Sequence, residues 1–320
     1  MFAVGCGSVP IEATDPLVED SVVGKSGKFV TVVSGPDDTL ASLANTWLGD
    51  AGSAWRISEF NNLRTLAPGQ IVAIPLQNLF PMGIRHNGYQ TVPVLCYHRF
   101  DQLHEKLSVP ANQFAQQMAY LKENGYSVIS LENLANFLRT GESVPKKSVV
   151  ITIDDGYRST FTDAFPILKK YGFPATVFLY TEFIGSPDAL SWKQIRTMQS
   201  SGLVSFQPHS HRHTNLGLPM PGESEETFHA RLRTEVITPS ERLKQRIKTS
   251  IKSFAYPYGD TNETVIDLLR NRNIELGFTV NPGSVAAFSQ PYRLQRTMIF
   301  GDFSLLDFAQ SLVVFEETGR

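Results

Sequence analysis

Apolar residues along this chain fall into two patterns, short unbroken runs and longer stretches with helical spacing, and the two alternate. The runs are VPVLC (92–96), VVITI (149–153), LVSF (203–206) and SFA (253–255), each bounded by polar or turn residues. Runs this short and continuous suit strands covered on both faces. Between them, residues 112–122, 131–138, 160–170 and 225–248 carry apolar positions three and four apart, and Pro239 predicts a break in the last. The alternation predicts an α/β fold of parallel βα units, closing as a barrel or lying as an open sheet. Polar residues placed just after the strands would then share one rim.

The first part of the chain reads differently. FVTVV opens a β-rich stretch at Phe29, and a turn follows over Gly35 to Asp38. A helix capped by Asp38 or Thr39 would turn Leu40, Leu43 and Ala44 inward, with a second helix around 55–60 and a strand near 71–74. This is a small βααβ module over residues 29–76. Residues 1–28, with their Gly, Ser and Lys, read as a tether. Residues 77–90, with Pro81, Gly83 and Gly88, read as a linker, leaving 91–320 for the larger domain.

Composition narrows the function. Lys and Arg number 29 against 31 acidic residues, a net charge of -2, so no global field favours nucleic acid or an anionic membrane. The GKS at 24–26 is not a phosphate loop, because the first glycine of that pattern falls on Glu19. Two cysteines make no disulfide framework, and Cys96 within an apolar run reads as a buried thiol. There is no run of 18 apolar residues that would span a bilayer.

The chemistry sits at the strand ends. His98, Asp154, Asp155, His209 and His213 each follow a predicted strand, so folding would bring them to one rim. Two imidazoles and a carboxylate hold a divalent metal while leaving positions open. Taken alone, a DDG is a helix-capping turn and loop histidines are solvent-exposed. Strand-end placement and spacing point to a metal site, a reading that rests also on the likeness carried by the motifs that follow.

Several motifs extend this reading: TIDDG at 152–156, Thr160, FPATVF at 173–178, HSHRH at 209–213 and AYPYG at 255–259. With them, residues 91–320 resemble the polysaccharide deacetylases of the carbohydrate esterase 4 type, the NodB homology family. The resemblance implies a distorted (β/α) barrel with Asp155, His209 and His213 as ligands of a divalent metal, Zn²⁺ before Co²⁺ or Ni²⁺. It implies Asp154 as general base, and the Tyr258 backbone N–H as donor to the oxyanion. His211 falls to a supporting role. The family's arginine is absent, because Ala255 stands there, and Arg293 or Arg296 is left to supply the charge. The family's late histidine has no counterpart after His229. In members whose first strand ends in YH, including deacetylases of exported poly-N-acetylglucosamine, a histidine from that strand is the general acid, which here is His98.

The implied activity is hydrolytic removal of N-acetyl groups from an N-acetylglucosamine polymer, exopolysaccharide or peptidoglycan, at the bacterial cell envelope. An O-acetyl polysaccharide esterase and a catalytically inactive glycan-binding scaffold are the alternatives. Through Asp38, Thr39, Leu40, Leu48, Gly49, Asn61, Pro68, Gly69, Ile74 and Pro75, residues 29–76 resemble a LysM domain, which implies binding to such polymers. The module departs by GPDD in its first turn, where GD is usual. Cys6 after Ala3, Val4 and Gly5 resembles a bacterial lipobox, which implies a lipidated membrane attachment, although only five residues precede it.

Overall fold

The structure is a computed structural model that describes residues 21–77, 81–101 and 105–318, and it divides into two compact units, Met1–Leu79 and Phe80–Arg320. Cys6 lies outside the described residues. In the first unit β1 (Val22–Lys25), β2 (Phe29–Val33) and β3 (Ile71–Pro75) form an antiparallel sheet in the order β1, β2, β3. Across it lie α1 (Leu40–Leu48) and α2 (Ala54–Asn61). Thr39, not Asp38, caps α1 by accepting from the Ser42 N–H, and Gly49 ends it in the left-handed region. Asp38 instead accepts from the Gly35 N–H at 2.7 Å and so fixes the preceding turn. Val30, Val32, Leu43, Ala44, Ile57, Val72 and Ile74 form the core. Strand β1 lies within the stretch read as tether. Only Val22 of it packs on this core, too little apolar pattern to announce a strand, and its existence rests on pairing with β2.

The second unit runs β4 (Ile84–Arg85), β5 (Gly88–Tyr97), α3 (Ala111–Glu123), β6 (Ser127–Val128), α4 (Leu131–Thr140) and β7 (Ser148–Ile153). A π-helical turn, Thr160–Ala164, leads into α5 (Phe165–Tyr171), followed by β8 (Ala175–Leu179), α6 (Trp192–Ser200), β9 (Val204–Pro208) and α7 (Glu225–Ile247). The chain ends with β10 (Ser253–Ala255), α8 (Glu263–Arg270), β11 (Leu276–Phe278), β12 (Ser284–Ala286), β13 (Thr297–Met298), α9 (Leu305–Ser311) and β14 (Phe315–Glu317). The stretch read as linker therefore belongs in part to this sheet. Gly88 starts β5 there, packed against Glu316 and Phe315 of β14 so closely that a side chain would not fit.

Strands β5, β7, β8 and β9 are parallel neighbours, and β10 pairs parallel with β11 in a separate ladder. Among the described residues no ladder joins β9 to β10, so the expected barrel is not closed by strand pairing. A side chain spans the gap: the Gln207 carbonyl accepts from the Lys252 and Ser253 N–H groups at 2.9 and 3.0 Å, and its amide donates to Ser250 O. On the other flank Thr297 and Met298 of β13 pair with Leu95 and Cys96 of β5.

Alternation along the strands sorts their residues onto two buried faces. Leu95, Tyr97, Ile151, Ile153, Val177 and Phe206 pack with residues of the helices, while Val92, Val94, Val150, Phe178 and Phe278 form a second cluster. Helix α7 runs unbroken through Pro239, against the expected break. Proline there costs roughly 3 kcal/mol, and Leu232, Val236, Leu243 and Ile247 on either side are all buried. At about 1.5–3 kcal/mol per buried side chain, that packing holds the helix together.

Candidate active site

The parallel registers explain why distant residues meet. Tyr97 pairs with Ile153 and Leu179 with Pro208, so His98, Asp154 and His209 follow strands that end on one edge. Asp154 directly follows β7, and its N–H donates to Tyr97 O at 2.8 Å. Asp155 then turns away with φ 70°, and Gly156 follows at φ 86°, where a Cβ would overlap Leu179. Ser210, His213 and Tyr258 also hold positive φ, at 72°, 60° and 61°. Four non-glycine residues in this costly region at one edge mark a strained site.

Asp155, His209 and His213 offer ligand atoms that all lie within 4.8 Å of one another. His213 Nε2 is 3.3 Å and His209 Nε2 3.6 Å from Asp155 Oδ1, an oxygen that is buried without a hydrogen-bond partner. His209 Nδ1 meets the Ala255 carbonyl at 2.8 Å. A carbonyl only accepts, so the proton is on Nδ1 and the Nε2 lone pair faces the site. Burial, ahead of all other influences, holds His209 neutral with a pKa down to about 3, and burial also lowers that of His213. Burial and then the charge of Asp154 push the Asp155 carboxyl up to about 7. Two neutral imidazoles aimed at an unpartnered carboxylate oxygen fit a divalent cation.

Asp154 is arranged in the opposite way. Arg296, fully buried, donates from Nη1 to Asp154 Oδ1 at 2.8 Å and from Nη2 to Oδ2 at 2.7 Å. Its Nε donates to Thr279 O at 2.8 Å. Burial alone would raise the Asp154 carboxyl, but the charge of Arg296, with His209 and the Arg296 hydrogen bonds, holds it well below the usual range. The arginine missing at Ala255 thus has a spatial substitute from the segment before β13, whereas Arg293 pairs with exposed Glu263. His98, Cys96 and Asp154 also lie within 4.8 Å of one another, and the Cys96 thiol donates to Asp154 Oδ2 at 3.5 Å. Burial lowers His98 to about 4, so its imidazole is neutral at pH 7. Tyr258 sits in the turn after β10, its ring 4.8 Å from that of His213 and its side chain largely exposed.

One residue of this edge escaped the sequence reading. Glu235 of α7 is buried and accepts from the His211 and Arg212 N–H groups at 2.9 and 2.8 Å, fixing the backbone between the two histidines. Its signal was a carboxylate within the apolar stripe of Leu232, Val236 and Leu243. His211 itself turns away, its Nδ1 3.1 Å from Thr181 Oγ1.

The fold and this site define the class. A model of the polysaccharide deacetylase family matches residues 141–277, and the chain belongs to that family. Among its relatives is the poly-beta-1,6-N-acetyl-D-glucosamine N-deacetylase of Staphylococcus aureus (strain MRSA252), 30% identical over 200 residues, covering 61% of this chain and 69% of that protein. The enzyme of the same name from Escherichia coli (strain K12) is 27% identical over 268 residues, 72% of this chain, which spans only 39% of that relative's length. A solved structure, the Streptococcus pyogenes deacetylase PplD in complex with acetate, superposes with a TM-score of 0.63 at 29% identity, covering 69% of this chain and 98% of that one.

Proposed function

We propose that the second unit hydrolyses N-acetyl groups from an N-acetylglucosamine-containing polysaccharide at the bacterial cell envelope. The observation that carries this is the pairing of the unpartnered Asp155 oxygen and two neutral histidines with an Asp154 kept ionised beside them. The names of the relatives from S. aureus and E. coli favour poly-N-acetylglucosamine, with peptidoglycan as the other candidate polymer. Asp155, His209 and His213 would hold the cation, and the ligand set favours Zn²⁺, with Co²⁺ or Ni²⁺ acceptable. A bound cation would supply Lewis acidity at the acetamide carbonyl.

In this reading Asp154 takes the proton from the attacking water, and Arg296 fixes both of its oxygens so that the base presents one orientation. The Tyr258 N–H donates to the oxyanion. His98, neutral at the outset and close to Asp154, receives that proton from Asp154 and delivers it to the departing amine, leaving acetate, a free amino sugar and an ionised Asp154. The strand order, with Gln207 bridging its gap, supports a distorted barrel, and the βααβ portion of the first unit supports a LysM-type glycan-binding module. Retention of the full chain on insoluble peptidoglycan tests that module, and unhindered recovery in the supernatant would count against it. Lipidation at Cys6 would hold the protein at a membrane.

The decisive assay is acetate release from poly-N-acetylglucosamine, peptidoglycan and acetylated xylan. We expect release from an amino-sugar polymer and a loss of about 10²- to 10⁴-fold in Asp154→Asn. Release from xylan alone would make this an O-acetyl esterase, and tight glycan binding with no release from any polymer would make it a scaffold.

A further inference from the structure

After His213 the chain forms a stretch, residues 214–223, that is fastened on two sides. Arg231 of α7 donates from Nη1 to Asn215 O at 2.7 Å and to Thr214 Oγ1 at 3.1 Å, and from Nη2 to Leu218 O at 3.2 Å. The same guanidinium holds the Glu223 carboxylate through Nε and Nη2, both at 2.8 Å. On the other side, Asn262 Nδ2 donates to Leu216 O and Gly217 O, and Asn215 Nδ2 donates to Asp260. Gly217 lies so near the turn after Tyr258 that a Cβ would stand 3.1 Å from that of Asp260 and 3.4 Å from Thr261 N. Pro219 and Pro221 restrict the backbone further. The stretch is therefore fixed relative to His213.

What it presents is apolar. Leu218 is 68% and Met220 43% exposed, and Tyr258, two residues before the Asp260 that the stretch is fastened to, is 60% exposed. The other flank of His213 is closed instead: Tyr180 is 5.2 Å from the histidine ring and stacks on Phe183 at 4.9 Å, which Tyr157 meets edge-on. A rigid, exposed apolar surface beside a reaction site marks a place where ligand is bound. The C–H faces of a pyranose ring are apolar and suit such a surface, and in a polymer the rings on either side of the reacting residue must lie somewhere along this edge.

We propose that Leu218, Met220 and the Tyr258 ring form a lip that holds the sugar rings next to the one losing its acetyl group, so that the site favours chains over short fragments. The proposal rests on the amide-hydrolysis reading, and its test separates the two. Zinc-loaded full-length protein is assayed for acetate release from a β-1,6-linked N-acetylglucosamine pentamer and from the monosaccharide N-acetylglucosamine, which has no neighbouring ring, and pentamer binding is measured by calorimetric titration. In L218D/M220D, KM for the pentamer should rise about tenfold, as expected for losing apolar contact from two side chains. Its kcat, and both constants for the monosaccharide, should stay as they are. L218S/M220S should move the same way by less, with an unchanged melting curve.

Equal losses on both substrates, or none on either, would overturn the lip. If the wild type binds pentamer yet releases no acetate, hydrolysis is wrong and the lip stands on titration alone: tenfold weaker binding in L218D/M220D supports it, and equal binding refutes it. No pentamer binding by the wild type refutes it as well. Unchanged kinetics together with weakened sedimentation on phosphatidylcholine vesicles would assign the stretch to a lipid surface and end the proposal.

Discussion

Asp154 and Asp155 are neighbours in the chain, yet the two halves of the site they anchor are built on opposite principles. Both carboxyls are buried, which disfavours charge on either. On the Asp154 side the protein provides its own countercharge, a guanidinium 142 residues away that meets both oxygens. On the Asp155 side no cationic side chain of the described residues makes contact, and Arg296 and Arg99 act only from a distance; Oδ1 has no hydrogen-bond partner and faces two uncharged imidazole nitrogens. Identical side chains thus acquire different chemistry from what surrounds them. One half is complete in the protein alone, and the other is arranged to accept a cation.

The largest expected effect tests the complete half. In Arg296→Met a buried carboxylate loses its only cationic contact at hydrogen-bonding distance among the described residues, which should cost about 3–5 kcal/mol in urea unfolding of the metal-free protein. Arg293 is three residues earlier, but its partner Glu263 is exposed. Arg293→Met should therefore cost less than about 1 kcal/mol. Equal costs for the two variants would show that Asp154 does not depend on its arginine, and the contrast between the halves would fall.

These two arginines also show how far the sequence could be read. The rim was legible, because His98, Asp154, Asp155, His209 and His213 each announce themselves by following an apolar run. The choice between Arg293 and Arg296 was not, since both lie in PYRLQRTMI and only the path of the chain beside β5 decides which is buried. Glu235 was missed for a related reason: local pattern marks it as one more charge on a long helix, and its value comes from backbone amides of another loop. Strand β1 and the unbroken α7 likewise depend on pairing and packing across space, which outweigh a weak strand pattern in one case and a proline in the other.

The incomplete half should respond to metal as the complete half does not. Zinc at a hundredfold excess over its Kd should stabilise the wild type by about 2.7 kcal/mol, seen as a rise in Tm. Asp155→Asn should abolish the rise, because the amide offers no negative charge between His209 and His213. A full zinc response in Asp155→Asn would mean that the ion is held elsewhere and that the unpartnered oxygen is not its ligand.

The smallest effect probes how the incomplete half is held ready. Ser210 and His213 keep positive φ, a backbone state that costs about 1–3 kcal/mol per residue and persists only when neighbours enforce it. Glu235 is such a neighbour, since it accepts from the two amides that lie between His209 and His213. Glu235→Gln keeps the size and one carbonyl acceptor but weakens both bonds by removing the charge. Supporting residues of this kind typically contribute 10- to 100-fold to metal affinity, and because Gln preserves part of the contact, the zinc Kd should rise by about tenfold, or about 1.4 kcal/mol, in a competition titration. The direction follows from geometry: a relaxed His213 swings its Nε2 away from Asp155 Oδ1, and the cation then loses one of its donors. An unchanged Kd in a variant of unchanged stability would mean that the left-handed turn holds itself, and that α7 contributes packing alone to this side of the site.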